Sequence, residues 1–189
     1  MYKGTNKTAL FSQNLIGDAM LHLLEDRPYA GISVSDLCKE ADVSRQTFYS
    51  LFGSKENVIA YMIKNCCCFI PADSDCSCRS ARFNLFCRHY SKFILEHRHL
   101  LELLVKNGMM HFIYDEQYSS LMDCGHFFRG VTGDSRIFLV DFITSGMNSI
   151  AKNYVLTGCH DDEERLTGLM CRLFGGLYFT HSFGDTSAD

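Results

Sequence analysis

The side chains with the most to offer a ligand lie within seventeen residues, Val43 to Ile59, which read VSRQTFYSLFGSKENVI. Arg45, Gln46, Thr47 and Tyr49 carry groups that donate to phosphate oxygens and to base edges. If the segment is helical, these stand outward while Phe48, Leu51 and Phe52 take the opposite, core-facing side. Ser44 can cap such a helix at its start. Gly53 suits the left-handed residue that stops it, and Ser54 can open the next helix. Exposed donors on a short helix pinned by aromatics point to a helix that reads DNA.

The element that must position this helix lies just upstream. Between Gly31 and Val43 the chain runs GISVSDLCKEADV. Ser33 is a natural N-cap, and Asp36, three residues on, can reach back to it as a capping-box partner. Val34, Leu37, Cys38 and Ala41 form the apolar stripe of a helix of about two turns. The corner Ala41-Asp42-Val43 is tight, and Asp tolerates the left-handed conformation such corners need. Two short helices joined in this way form a helix-turn-helix. Capped short helices also occur in bundles that never touch DNA, so the stretch downstream of the turn carries the argument.

Residues Leu10 to Ile63 resemble the DNA-binding domain of TetR-family transcriptional regulators. The match lies in Ser33 at the opening of helix two, the turn Ala41-Asp42-Val43, the run Ser44-Arg45-Gln46-Thr47-Phe48-Tyr49, then Phe52 and Lys55-Glu56. Asp42 departs from the pattern, which usually has Gly at that corner; a carboxylate near phosphates can cost affinity. The resemblance covers about the first third of the chain. It implies an N-terminal three-helix DNA-binding domain (1–53), with helix four (54–70) leading into a C-terminal helical ligand-binding and dimerisation domain (54–189). It further implies a repressor that binds a palindromic operator in double-stranded DNA as a homodimer and responds to a small-molecule effector. A ligand that spreads the two reading heads moves them out of register with the grooves, provided it prefers the spread state.

Composition agrees with a globular helical protein. Of 189 residues, 47% are hydrophobic, enough for a proper core, and only two are proline. No apolar run is long enough to cross a membrane, and the segment MYKGTNKTALFSQN lacks a signal-peptide block, so a cytoplasmic location is expected. The net charge is −4. Residues 1–65 balance Lys3, Lys7, Arg27, Lys39, Arg45, Lys55 and Lys64 against Asp18, Glu25, Asp26, Asp36, Glu40, Asp42 and Glu56. A uniformly basic footprint is therefore missing, and placement must serve instead. Lys3, Lys7, Arg45 and Lys55 are expected on one face. Helix starts at Ser33, Ser44 and Ser54 add amides that hold phosphate. The predicted DNA-contacting set is Lys7, Ser33, Ser44, Arg45, Gln46, Thr47, Tyr49 and Lys55.

Apolar periodicity predicts an all-α chain of about nine helices, with no strand-like alternation. Helix one is expected from Thr8 to Glu25, helix four to end near Phe69, and further helices at 80–97 and 100–106, with one loose-ended helix within 107–134. A helix over 135–156 carries Phe138 and Phe142 on a broad apolar face, and Gly158 closes it. Asp161 and Glu164 open the last helix, which presents Leu166, Leu169, Met170, Leu173, Phe174 and Leu177. Gly168, Gly175 and Gly176 interrupt it at roughly 1 kcal/mol each against alanine, tolerable where close helix contact results. By resemblance these two helices pair with their mates in a four-helix dimer interface made by Phe138, Phe142, Leu166, Leu169, Met170, Leu173, Phe174 and Leu177.

Ten cysteines, six of them between positions 66 and 87, suggest a thiol or metal sensor. Yet no paired CxxC or standard zinc spacing is present, and cysteine serves in cores as a small apolar residue. No metal or cofactor is therefore predicted. His89, His97, Met109, Met110, Phe112 and Phe142 are candidates to line a cavity for an apolar effector. The histidines have no neighbouring carboxylate to complete a metal set, and no Ser/His/Asp or Cys/His constellation is readable. An enzyme is not expected. Two other classes remain open on the same scaffold: a thiol- or metal-responsive regulator, and a co-regulator acting through protein contacts.

Overall fold

The computed structural model describes residues 1–66, 79–124, 128 and 130–179, with backbone alone at 79–80 and 176–179. Among these, nine α-helices occur and no strand: α1 (Lys7–Asp26), α2 (Val34–Glu40), α3 (Arg45–Leu51), α4 (Lys55–Cys66), α5 (Arg79–Glu96), α6 (Arg98–Lys106), α7 (His111–Asp123), α8 (Gly133–Leu156) and α9 (Glu163–Phe179). The expected end of helix four near Phe69 lies outside the described residues, as do Cys67, Cys68, Cys76 and Cys78.

Local signals place the first three helices. Asn6 caps α1, its side chain accepting from the amides of Thr8 and Ala9. Ile16, Met20, Leu23 and Leu24 then recur at helical spacing and are buried. A single 3-10 turn, Tyr29–Gly31, follows Pro28. Ser33 and Asp36 form the expected capping box on α2. Helix α4 buries Val58, Ile59, Met62 and Ile63 and packs on both α1 and α7, so it joins the three-helix unit to the rest. Two polar ties reinforce that joint: the Tyr29 amide donates to Asn107 Oδ1 at 2.8 Å, and His99 Nε2 lies 2.8 Å from Glu25 Oε1.

The remaining helices form a bundle in which α5 packs on α9 and α7 on α8. Arg136, one turn into α8, donates to the carbonyls of Leu121, Met122 and Cys124 at 2.8–3.0 Å. One guanidinium thus satisfies acceptors that the end of α7 would leave unpaired. Tyr114 of α7 donates to Asp141 of α8. The last helix is capped one residue later than the sequence suggests. Asp162 Oδ1 accepts from the Arg165 amide at 2.9 Å, while Asp161 pairs with the Arg165 side chain.

The Phe174 ring of α9 reaches α8 at Gly146. A Cβ there would fall 2.6 Å from the Phe174 ring, itself buried and edge-on to Phe83 and Phe142. Gly146→Ala is therefore expected to destabilise the fold by about 1–3 kcal/mol, as overpacked cores do, despite alanine's better helix propensity. Urea denaturation followed by circular dichroism checks this; an unchanged or raised midpoint would refute the close packing.

Candidate nucleic-acid interface

The corner before α3 has the strained geometry its sequence allows. Asp42 has φ +51°, the one positive φ outside glycine among the described residues, and the Val43 amide bonds back to the Cys38 carbonyl at 2.9 Å. Ser44 Oγ then accepts from the Thr47 amide at 3.0 Å, and the Ser44 and Thr47 hydroxyls lie 2.9 Å apart. Phe48, Leu51 and Phe52 are buried. Phe48 packs on Phe52, and Phe52 meets the Tyr61 ring of α4 edge-on at 5.5 Å. Gly53, at φ +76°, ends the helix.

Arg45, Gln46, Tyr49 and Ser50 face solvent, and Thr47 is half-buried. Tyr49 is 48% exposed, with its ring edge-on to Phe48. No carboxylate pairs with Arg45 among the described residues. A shallow groove of about 450 Å³ runs between α3 and the start of α1, lined by Asn6, Thr8, Ser12, Gln46, Thr47 and Ser50. The sequence reading missed Ser50, although its i+4 spacing from Gln46 places it on the same face.

Two predicted contacts are spent inside the protein. Lys55 Nζ donates to the carbonyls of Tyr29 and Ile32 at 3.1 and 3.0 Å and sits 4.2 Å above the Tyr29 ring. Its ammonium thereby ties the start of α4 to the loop between α1 and α2. Ser33 donates from both its hydroxyl and its amide to Asp36 Oδ2. Those bonds hold the Asp36 carboxyl below the usual carboxylate range, the hydroxyl having the larger effect. A carboxylate thus already occupies the start of α2, where phosphate was expected. Lys7, the first residue of α1, is exposed.

The profile of the family described as "Bacterial regulatory proteins, tetR family" matches residues 16–62, the segment from α1 through α4. A stretch of 42 residues is 57% identical to the HTH-type transcriptional regulator EthR of Mycobacterium tuberculosis, 22% of this chain and 19% of that protein. Residues 16–62 are thus similar to the DNA-binding segment of TetR-family regulators. A stretch of 59 residues is 34% identical to the dhaKLM operon transcriptional activator DhaS of Lactococcus lactis subsp. lactis, covering 31% of this chain and 32% of that one. These matches span about a fifth to a third of the curated relatives' lengths. A likeness of fold extends over nearly the whole chain. The solved structure of the fatty acid degradation regulator FadR from Bacillus halodurans aligns over 94% of this chain and 97% of its own, with a TM-score of 0.57 at 19% identity.

The C-terminal candidates do not converge. His97 lines a groove of about 380 Å³ with Asn14, Tyr61 and Leu100, between α1, α4 and α6. His89 borders a separate groove beside Arg88, Lys92 and Glu163. Met109 and Met110 are buried, Phe112 is half-buried, and Phe142 faces solvent. The predicted interface set divides as well. Leu166, Met170 and Phe174 are buried within the chain, whereas Phe138, Phe142, Leu169 and Leu173 are exposed; the Leu177 side chain lies outside the described residues. Burial pushes the thiols of Cys66 and Cys87 up, away from the reactive thiolate. Among the described residues no three His, Cys, Asp or Glu side chains are grouped to hold a metal.

Proposed function

We propose that this chain is a transcriptional repressor that binds a palindromic DNA operator as a homodimer and releases it on binding a small molecule. The single observation that carries the reading is α3: a capped helix with Arg45, Gln46 and Tyr49 free on one side and Phe48 and Phe52 buried on the other. A helix of seven residues reads only a few base pairs, so two copies on successive major grooves supply specificity.

Pairing is supported by the outer face of α8 and α9. Phe138 is 72%, Leu173 57% and Phe142 53% exposed, an unusual cluster of large apolar groups for a surface. Phe138→Glu combined with Leu173→Glu is expected to give a monomer that stays folded, because neither side chain fills the core. Analytical ultracentrifugation decides it; an unaltered dimer would place the interface elsewhere.

Effector control is supported by buried polar groups with no hydrogen-bond partner among the described residues. Gln117 of α7 is fully buried with both side-chain polar atoms unpaired, and the buried Thr144 hydroxyl of α8 is unpaired too. Leaving such a group unpaired costs about 1–3 kcal/mol, which a hydrogen-bonding guest would offset. The buried residues of α7 and α8 include no ionised side chain, so an uncharged, largely apolar effector suits the site. The deciding experiment for the whole reading is to sequence genomic DNA fragments retained by the purified protein. A shared palindrome supports it, and retention no better than that of random DNA overturns it.

A further inference from the structure

Residues 1–6, ahead of α1, fold back onto the far end of α3. The Tyr2 amide donates to the Leu51 carbonyl at 2.6 Å. Gln13, buried in α1, donates through Nε2 to the Tyr2 carbonyl at 3.3 Å, and the Asn6 amide donates to Tyr2 Oη at 3.3 Å. The Tyr2 ring packs against the core and lies over Gly4, where any Cβ would collide with it. Leu51 ends α3, so its carbonyl is one that a helix terminus leaves without an intrahelical donor. A seven-residue helix has little stability of its own and depends on such end contacts.

We propose that residues 1–6 are a strap that fixes α3 for DNA reading, with Tyr2 its positioning residue, and that the groove beside the strap seats a DNA phosphodiester. The inference rests on the DNA-binding reading above. The groove's chemistry is that of a phosphate seat: hydroxyls from Thr8, Ser12, Thr47 and Ser50 and the amides of Asn6 and Gln46 line it, with no carboxylate. Lys3 and Lys7, both exposed and without a carboxylate partner among the described residues, lie in the strap and at the head of α1. Gln46 and Thr47 belong both to the groove and to the reading face, so one phosphate contact would fix the helix against the bases. Tyr2 acts through Leu51 and touches no base.

The test uses the full chain, its operator from the fragment selection and a random duplex of equal length. Tyr2→Ala and Gly4→Ala, the second displacing the ring without removing it, are each expected to weaken operator binding about tenfold, the effect of losing one or two hydrogen bonds per subunit. Tyr2→Phe, which keeps the packing, should lose far less. Lys3→Gln should instead lower the salt dependence of binding to both duplexes, by about one ion per site. Hydrogen exchange without DNA gives an independent reading: amides of residues 45–54 should exchange several-fold faster in Tyr2→Ala and Gly4→Ala. Unchanged exchange together with operator affinity within about twofold of the parent overturns the strap. An unchanged salt slope in Lys3→Gln overturns the phosphate seat. If the parent protein retains no DNA at all, the functional reading and the phosphate seat both fall, while exchange still decides whether the strap holds α3.

Discussion

A protein carrying both Arg45→Ala and Tyr49→Ala is expected to lose operator binding by roughly a thousandfold while remaining a folded dimer. The magnitude follows from four lost contacts in a two-fold complex, each at about 1 kcal/mol, the low end for a base or phosphate contact. Arg45 opens α3 without an ion-pair partner among the described residues, and the Tyr49 ring stands half in solvent. Neither holds the core, so the melting temperature should barely move. Fluorescence anisotropy with a labelled operator measures the loss, and sedimentation confirms the dimer. Affinity within a few-fold of the parent would mean that α3 is not the reading element, and a partner-protein role would then take precedence.

Phe48→Ala should have the largest effect on stability, about 3–5 kcal/mol, as for other fully buried aromatic truncations. Phe48 is completely buried, meets Tyr49 edge-on and stacks obliquely on Phe52. Removing it leaves a cavity beneath a helix of two turns, and that helix has no other large side chain at its centre to hold it down. DNA binding should fail together with stability, in contrast to Arg45→Ala, where binding fails alone. Equilibrium urea unfolding distinguishes the two. A loss below about 1 kcal/mol would show that α3 is held mainly by Phe52 and by the strap at Leu51.

Chain-local chemistry was readable in the sequence wherever a structural signal spans four residues or fewer. The Ser33–Asp36 box, the Ser44 cap, the left-handed Asp42 and the Gly53 stop each involve neighbours along the chain, and each is present. Helical periodicity placed α1, α5, α6, α8 and α9 within a few residues of their ends for the same reason. Asp162 rather than Asp161 caps α9 because two adjacent acids offer the same signal and local spacing does not separate them.

Lys55 marks where that reach stops. Its sequence position suits an outward cation, yet it bonds to carbonyls more than twenty residues away, which only the folded loop brings near. The same holds for α9. Leu166, Leu169, Met170, Leu173 and Phe174 are alike in type, but packing on α5, and for Phe174 against α8 as well, buries three and leaves Leu169 and Leu173 outside. His89 and His97 share a helical period and still open onto different grooves. By itself, then, the sequence determined the helices, their caps and the outward face of α3, because those depend on contacts within a turn or two. Tertiary structure alone decided which apolar and charged groups remain on the surface, because that depends on which distant helices pack against them.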